Sequence, residues 1–509
     1  MSAKPCMTCI HKLDMQSLSR AETLKRRGNV GSYMILIKLN RPGFEYDIHS
    51  LIKAFYPSED VSVTAEDKVY DAPILWQMQI FYEEDGITVE WEGTHTFAVD
   101  AADKIETKNR LKQELYLLLA AHSGRTLPWG TLTGIRPTKI AKKLLKDGWE
   151  KQAIHTYMEE TYFTSRGKID LSIDIAEREL ALLSGLDYEK GYSLYIGIPF
   201  CPTTCLYCSF TSYPLASWAK RVDSYLDALE REIDFAAVKF AHRRLNSIYI
   251  GGGTPTTLEP HQLDRLLGKL KCSFDLKDCK EFTVEAGRPD SITGEKLMVL
   301  RRYGISRISI NPQTMKDETL RLIGRQHTVA QTVESFHLAR ELGFENINMD
   351  LILGLPEETL DDVRQTMEQI HKLAPDNLTV HSLALKRAAR LNMFKEDYKN
   401  YRMVNTQEHM DLVASYAREM GLSPYYLYRQ KSMAGNLENV GYAAPGKAGI
   451  YNVLIMEEVQ DIVALGAGSI SKRVYEDGRI ERCENVKDVV QYMDRIDEMI
   501  GRKRQLFSV

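Results

Sequence analysis

The chain has 509 residues, 44% of them hydrophobic and 27% charged, with a formal net charge of −4. This composition excludes disordered and fibrous classes, the small net charge gives no general attraction for nucleic acid, and the length exceeds the ~250 to 300 residues at which a single core stops growing, so two or three domains are expected. No apolar run reaches the ~18 to 20 residues of a membrane span, Met1–His11 lacks a secretory apolar segment, and cytosol is therefore the expected compartment, where the eight cysteines stay reduced and open to metal or chemistry.

Residues 1–33 read as a basic, polar leader, expected to be flexible, in which Cys6 and Cys9 with nearby His11 make half of a metal site. From 34 to 125 the text predicts a small α+β domain. Strand runs MILIKLN, VSVTA, ILWQMQIFY and ITVEWEG fill it to about Asp100, with a turn at Glu84, Asp85 and Gly86. A helix follows from Lys104 to Ala121, its Leu111, Leu115 and Leu118 on one face. The Pro- and Gly-rich segment LPWGTLTGIRPTK, 127–139, opens a loop and helical connector over 126–190.

After Gly191 short apolar runs alternate with amphipathic helices at about one βαβ unit each, ~30 residues or more. The runs are SLYIGI (193–198), SIYIGGG (247–253), EFTVEAG (281–287), RISINPQ (307–313), INMDLILGL (347–355) and LTVHSLAL (378–385). Six repeats predict an α/β fold, a partial (β/α)6 barrel over 191–390 with its site at the C-terminal ends of the strands. A mainly helical C-terminal extension or lid is expected over 391–509, with the Tyr-rich PYYLYRQ (424–430) and the Gly-rich ALGAGSISK (464–472) within it.

Cys201, Cys205 and Cys208 form C-x3-C-x2-C in the loop after the first barrel strand. Three thiolates on one short loop leave an iron open if a four-iron cluster binds. Zinc is the alternative, but structural zinc takes four protein ligands, commonly as paired C-x2-C spacings from two places. Glu285, closing the third strand, is a carboxylate able to accept from ribose hydroxyls, with a salt-bridged strand end as the other reading. Cys272, Cys279 and Cys483 are isolated and read as packing or surface thiols.

The cysteine spacing, followed by strands carrying GGGTP and a Glu, resembles the radical S-adenosylmethionine (SAM) superfamily over about residues 192–390. Within it the chain resembles the oxygen-independent coproporphyrinogen III oxidase group, closest to the HemZ branch, through LPWGTLTGIRPTK, YYLYRQK and LENVGYAAPGK. The resemblance implies a 4Fe-4S cluster on Cys201, Cys205 and Cys208, and SAM on the open iron. Tyr195, Tyr207, Gly252, Gly253, Thr254 and Glu285 match the family's positions around the first SAM. Gln313, Arg325 and Asp350 match contacts to a second SAM, and Ala384 matches a backbone contact. A second molecule of SAM is thus part of the expectation. No catalytic acid or base is assigned.

Where the oxidases proper carry a further cysteine two places after the third ligand, this chain has Phe210. The chain also lacks the His-Asn-x-x-Tyr-Trp motif of the related heme chaperones. The family implies oxidative decarboxylation of coproporphyrinogen III to protoporphyrinogen IX, or else heme binding and delivery, or radical chemistry on heme itself. A tetrapyrrole partner, an electron donor such as flavodoxin or ferredoxin, and a monomer are expected. The tyrosines of PYYLYRQ and the segment His381–Arg387 are candidate walls of a tetrapyrrole pocket, with core packing as the other reading of each. Arg136 and Lys139 are candidate propionate anchors, with helix capping as the other reading.

Overall fold

Ile35, Ile37 and Leu39 lie on one face of the first strand, β1 (Met34–Leu39), and join the core of the N-terminal unit, while Leu36 is buried on the other face. The computed structural model describes residues 33–210, 212–384, 389–393, 398, 401–430 and 437–508, in two compact units. The leader with Cys6, Cys9 and His11 lies outside the described residues.

The first unit comprises residues up to Gly134 together with Trp149–Asp170. Its sheet runs β2-β1-β3-β4-β5, where β2 is Asp60–Thr64, β3 Ile74–Tyr82, β4 Gly86–Glu90 and β5 Thr94–Ala98. β1 pairs in parallel with both β2 and β3, and the other pairs are antiparallel. A parallel β1–β2 pair needs a crossover, supplied by a helix over Glu45–Phe55. Reading this whole region as strands misses that helix. Its buried Ile48, Leu51, Ile52 and Phe55 have helical spacing and share one core with the sheet. The anticipated second helix spans Lys104–Ser123: Asp103 caps it by accepting from the amides of Ile105 and Glu106, and Gly124 at φ +62° ends it.

The second unit comprises Ile135–Gly148 and Leu171–Val509. Its barrel strands are β6 (Gly191–Ile198), β9 (Arg244–Gly252), β10 (Glu281–Gly287), β11 (Arg307–Ile310), β12 (Ile347–Leu353) and β13 (Asn377–Ser382); the two-residue β7 (Phe200–Cys201) and β8 (Tyr213–Pro214) pair beside them. Helices Val222–Lys239, Pro260–Ser273, Gly294–Arg302, Val329–Glu341 and Leu360–Leu373 connect successive barrel strands. Thr328 with Gln331, and Thr359 with Asp362, form capping boxes that set where the last two begin. The run RISINPQ is strand only to Ile310. Pro312 has no amide to donate, and Gln313 rejoins the sheet as a single bridge to Leu351.

In this fold β6, β9, β10, β11, β12 and β13 lie side by side in parallel, the six anticipated strands in chain order. The segment after Arg390 has helices at Gln407–Glu419, Ile450–Glu457, Val489–Asp494 and Ile496–Leu506, and adds five strands to the same sheet. β14 (Ser423–Tyr428) and β15 (Asn439–Ala443) extend it antiparallel beyond β13. β16 (Asp461–Leu465) pairs in parallel with β6, and β17 (Ile470–Val474) and β18 (Ile480–Glu484) follow antiparallel. The last helix is tied in by a fully buried pair, Lys503 Nζ on Glu232 Oε1 at 2.6 Å, joined by Asn485 and Tyr492.

Candidate functional site

The barrel strands alternate with period two, and their polar members face a cavity of about 380 Å³. Tyr249, Glu285, Arg307 and Ser309, Asn348 and Asp350, and Thr379 and His381 line it from β9 to β13. The intervening Ile250, Val284, Ile308, Met349 and Val380 are buried apolar residues. The barrel interior is thus a polar chamber, with its apolar residues at the alternate positions.

At the C-terminal ends of the strands the chamber meets the cysteine loop, and Cys201, Cys205 and Cys208 all open onto it. A second turn of chain holds this loop: Leu206 N donates to Ile323 O at 3.0 Å and Thr203 Oγ1 to Gly324 O at 2.9 Å. Thr254 Oγ1 donates to Cys201 Sγ at 3.5 Å, and Arg288 Nη1 to Cys205 Sγ at the same distance. Burial pushes the Cys201 thiol up to about 11, with Thr254 pulling the other way. Among the described residues no three His, Cys, Asp or Glu side chains are placed to hold one metal ion. Three thiols of one short loop that open onto one cavity are a donor set that fits an iron-sulfur cluster, and the loop would supply its three protein ligands.

Gly252, Gly253 and Thr254 line the cavity beside the loop. Gly252 has φ +105°, a conformation open to glycine. A Cβ on Gly253 would lie 2.5 Å from Phe200 O and 2.8 Å from Ile198 O, and its amide already donates to Ile198 O at 2.7 Å. Close packing against the cysteine-bearing segment therefore explains the glycine at 253. Glu285 accepts from Tyr249 Oη at 2.5 Å, and burial raises its carboxyl to about 7.

Gln313, Arg325 and Asp350 reach the same cavity. Gln313 is a non-glycine residue at φ +69°, pinned on both sides: its amide donates to Asp350 O and its carbonyl accepts from Ile352 N, each at 2.9 Å. Such a conformation costs ~1 to 3 kcal/mol and clusters at functional sites. Arg325 is buried, donating to Asn311 O at 2.6 Å and to Tyr207 Oη at 3.3 Å. Burial alone would raise Asp350, but His381, Asn348 and Arg307 together hold it below the usual carboxylate range. Tyr207 and Ala384 also line the cavity. Tyr195 does not: its ring stacks with Tyr249 and Tyr451, centroids 6.2 Å away from each.

The extension supplies the remaining wall. Tyr426, Tyr428 and Gln430 of the tyrosine-rich segment line it with Asn439, Asn452, Ile455 and Met456. Tyr428 Oη lies 3.4 Å from His381 Nδ1. Residues 385–387 of the anticipated wall lie outside the described residues. Arg136 does not line the cavity but stands behind its wall, its guanidinium donating to Met456 O and to Glu458 at the end of helix Ile450–Glu457. Cys272 is exposed, Cys279 donates to Glu281 O and Cys483 is buried, as isolated thiols.

Arg288 and Arg307 are site residues that the sequence reading passed over. Arg307 is 1% exposed, and its Nε and Nη2 have no hydrogen-bond partner. The available signal was positional: Arg307 has the parity of Ser309, and Arg288 immediately follows the strand that presents Glu285.

The family model "Radical SAM superfamily" matches residues 195–370. The chain is 44% identical over 84% of its length, and 87% of the relative's, to the "oxygen-independent coproporphyrinogen-III oxidase-like protein HemZ" of Bacillus subtilis. It is 42% identical over 38% of its length, and 51% of the relative's, to the "heme chaperone HemW" of the same organism. With the "oxygen-independent coproporphyrinogen III oxidase" of Escherichia coli it shares 27% identity over 68% of its own chain and 74% of the other. A match of this depth over most of the chain, with the cysteine loop inside the span of the superfamily model, shows that the chain belongs to the HemZ branch of the radical SAM superfamily, beside the oxygen-independent coproporphyrinogen III oxidases.

Proposed function

We propose that the chain is a radical SAM enzyme of tetrapyrrole metabolism that decarboxylates coproporphyrinogen III to protoporphyrinogen IX without oxygen. The observation that carries this reading is the continuous similarity to a coproporphyrinogen-III oxidase-like relative, which includes both the barrel and the tyrosine-bearing extension. When bound, the cluster and SAM supply a one-electron cleavage that yields an adenosyl radical. The chain's own residues then have defined parts. Cys201, Cys205 and Cys208 hold the cluster. Gly252, Gly253, Thr254 and Glu285 seat the first SAM with Tyr195 and Tyr207 close by. Gln313, Arg325, Asp350 and Ala384 seat a second. Tyr426 and Tyr428 line the same chamber, and their rings are suited to one face of a macrocycle.

Phe210 supports a second reading, heme binding and delivery, because it stands where the oxidases carry cysteine and the cysteine loop lies within the region of superfamily similarity. Anaerobic incubation of the reconstituted protein with coproporphyrinogen III, SAM and a strong reductant decides between them. Vinyl porphyrin, carbon dioxide and 5'-deoxyadenosine support the oxidase. Deoxyadenosine without decarboxylated product, together with retained heme, moves the assignment to the second reading.

A further inference from the structure

Arg288 is a buried guanidinium with an unusual set of partners. It is 3% exposed. One edge is held by Asp290, Nη2 to Oδ2 at 2.7 Å and Nε to Oδ1 at 3.0 Å. The remaining nitrogen, Nη1, faces the cysteine loop, donating to Thr203 Oγ1 at 3.1 Å, Thr203 O at 3.4 Å and Cys205 Sγ at 3.5 Å. A bidentate carboxylate fixes the plane of a guanidinium, so the direction of Nη1 is set before any cofactor arrives. Arg288 follows β10 directly, and Pro289 restricts the backbone between the two paired residues. The hydroxyl of Thr254 donates to Cys201 Sγ, and the Arg325 guanidinium lies with that of Arg288 at Cys205. Fixed positive charge is therefore gathered at Cys205.

Hydrogen bonds and positive charge at cluster sulfurs favour the more negative, reduced state. We infer that Arg288, oriented by Asp290, is a positioning residue that donates to the Cys205 sulfur and raises the reduction potential of the bound cluster. The step concerned is [4Fe-4S]2+ plus one electron from an external one-electron donor to [4Fe-4S]+. No bond of the substrate is involved, so the inference stands whichever tetrapyrrole the protein handles.

The test is the midpoint potential of the cluster in the full-length reconstituted protein, titrated with dithionite and read by electron paramagnetic resonance without SAM or substrate. Arg288→Gln removes the charge, and the midpoint moves negative by at least a tenfold change in the oxidised-to-reduced ratio, about 59 mV for one electron. Asp290→Asn keeps the donor and removes its counter-charge, so the midpoint moves positive. A merely structural role does not give opposite signs. An unmoved midpoint in Arg288→Gln at full iron content overturns the inference. If Arg288→Gln loads less than full iron, Asp290→Asn decides alone: a positive shift supports the inference, and an unmoved or negative one overturns it.

Discussion

At the scale of single residues the cavity is a set of buried charges that the surrounding chain holds in fixed states. Changing Cys205 to Ala leaves two thiolates on the loop, and we expect loss of the cluster's visible absorbance and of SAM cleavage, checked by iron analysis and 5'-deoxyadenosine chromatography. Glu285 gives a pH signature in the cluster-free protein. Burial raises its carboxyl from the ordinary 4.5 to about 7, so folding takes up a proton in that window and this group's contribution weakens as pH rises through it. Glu285→Gln removes the penalty while its amide oxygen still accepts from Tyr249. Its urea midpoint is expected above that of the wild type at pH 8, with the two converging below pH 4. The cysteine spacing was legible because metal chemistry is written locally. Arg288 and Arg307 were not, since a charged residue in a linear text reads as surface until barrel closure shows which parity points inward.

At the scale of elements, long runs with one dominant periodicity were readable: Glu281–Gly287 and Ile74–Tyr82 are strands with the anticipated bounds. The helix Glu45–Phe55 was lost among strand-like neighbours, although Ile48, Leu51, Ile52 and Phe55 carry its period. The five strands of the extension escaped notice for another reason. Each has only five or six residues, too few for alternation to stand out, and β15 and β16 are buried on both faces. One element there depends on a single cation. Lys503 and Glu232 are both 0% exposed, and removing one partner of such a pair costs ~3 to 5 kcal/mol. Lys503→Met is expected to lower the urea midpoint and to open Ile496–Leu506 to limited proteolysis ahead of the barrel, as mapped by mass spectrometry of the fragments.

At the scale of the whole molecule, each of the two units has its own sheet, so two unfolding transitions are expected. The probes separate them. Of the five tryptophans, Trp76, Trp91, Trp129 and Trp149 belong to the first unit and Trp218 to the second. Tryptophan fluorescence therefore follows the first unit in urea, and visible absorbance of the bound cluster follows the second. Coincident curves would show instead that the units unfold together.

The parallel pairing of β16 with β6 has a consequence for how the protein is made. The opening strand of the barrel has β9 on one edge and β16 on the other, and β16 is encoded close to the end of the chain. While the ribosome is still translating the middle of the message, the outer edge of β6 has no neighbour, and its bare amides and carbonyls are a template for any passing strand. The outer edge of β6 therefore gains its partner only when nearly the full polypeptide has been made. Premature termination just before Asp461 would leave a chain bearing Cys201, Cys205, Cys208 and every other residue that lines the chamber, yet prone to aggregate along that one seam.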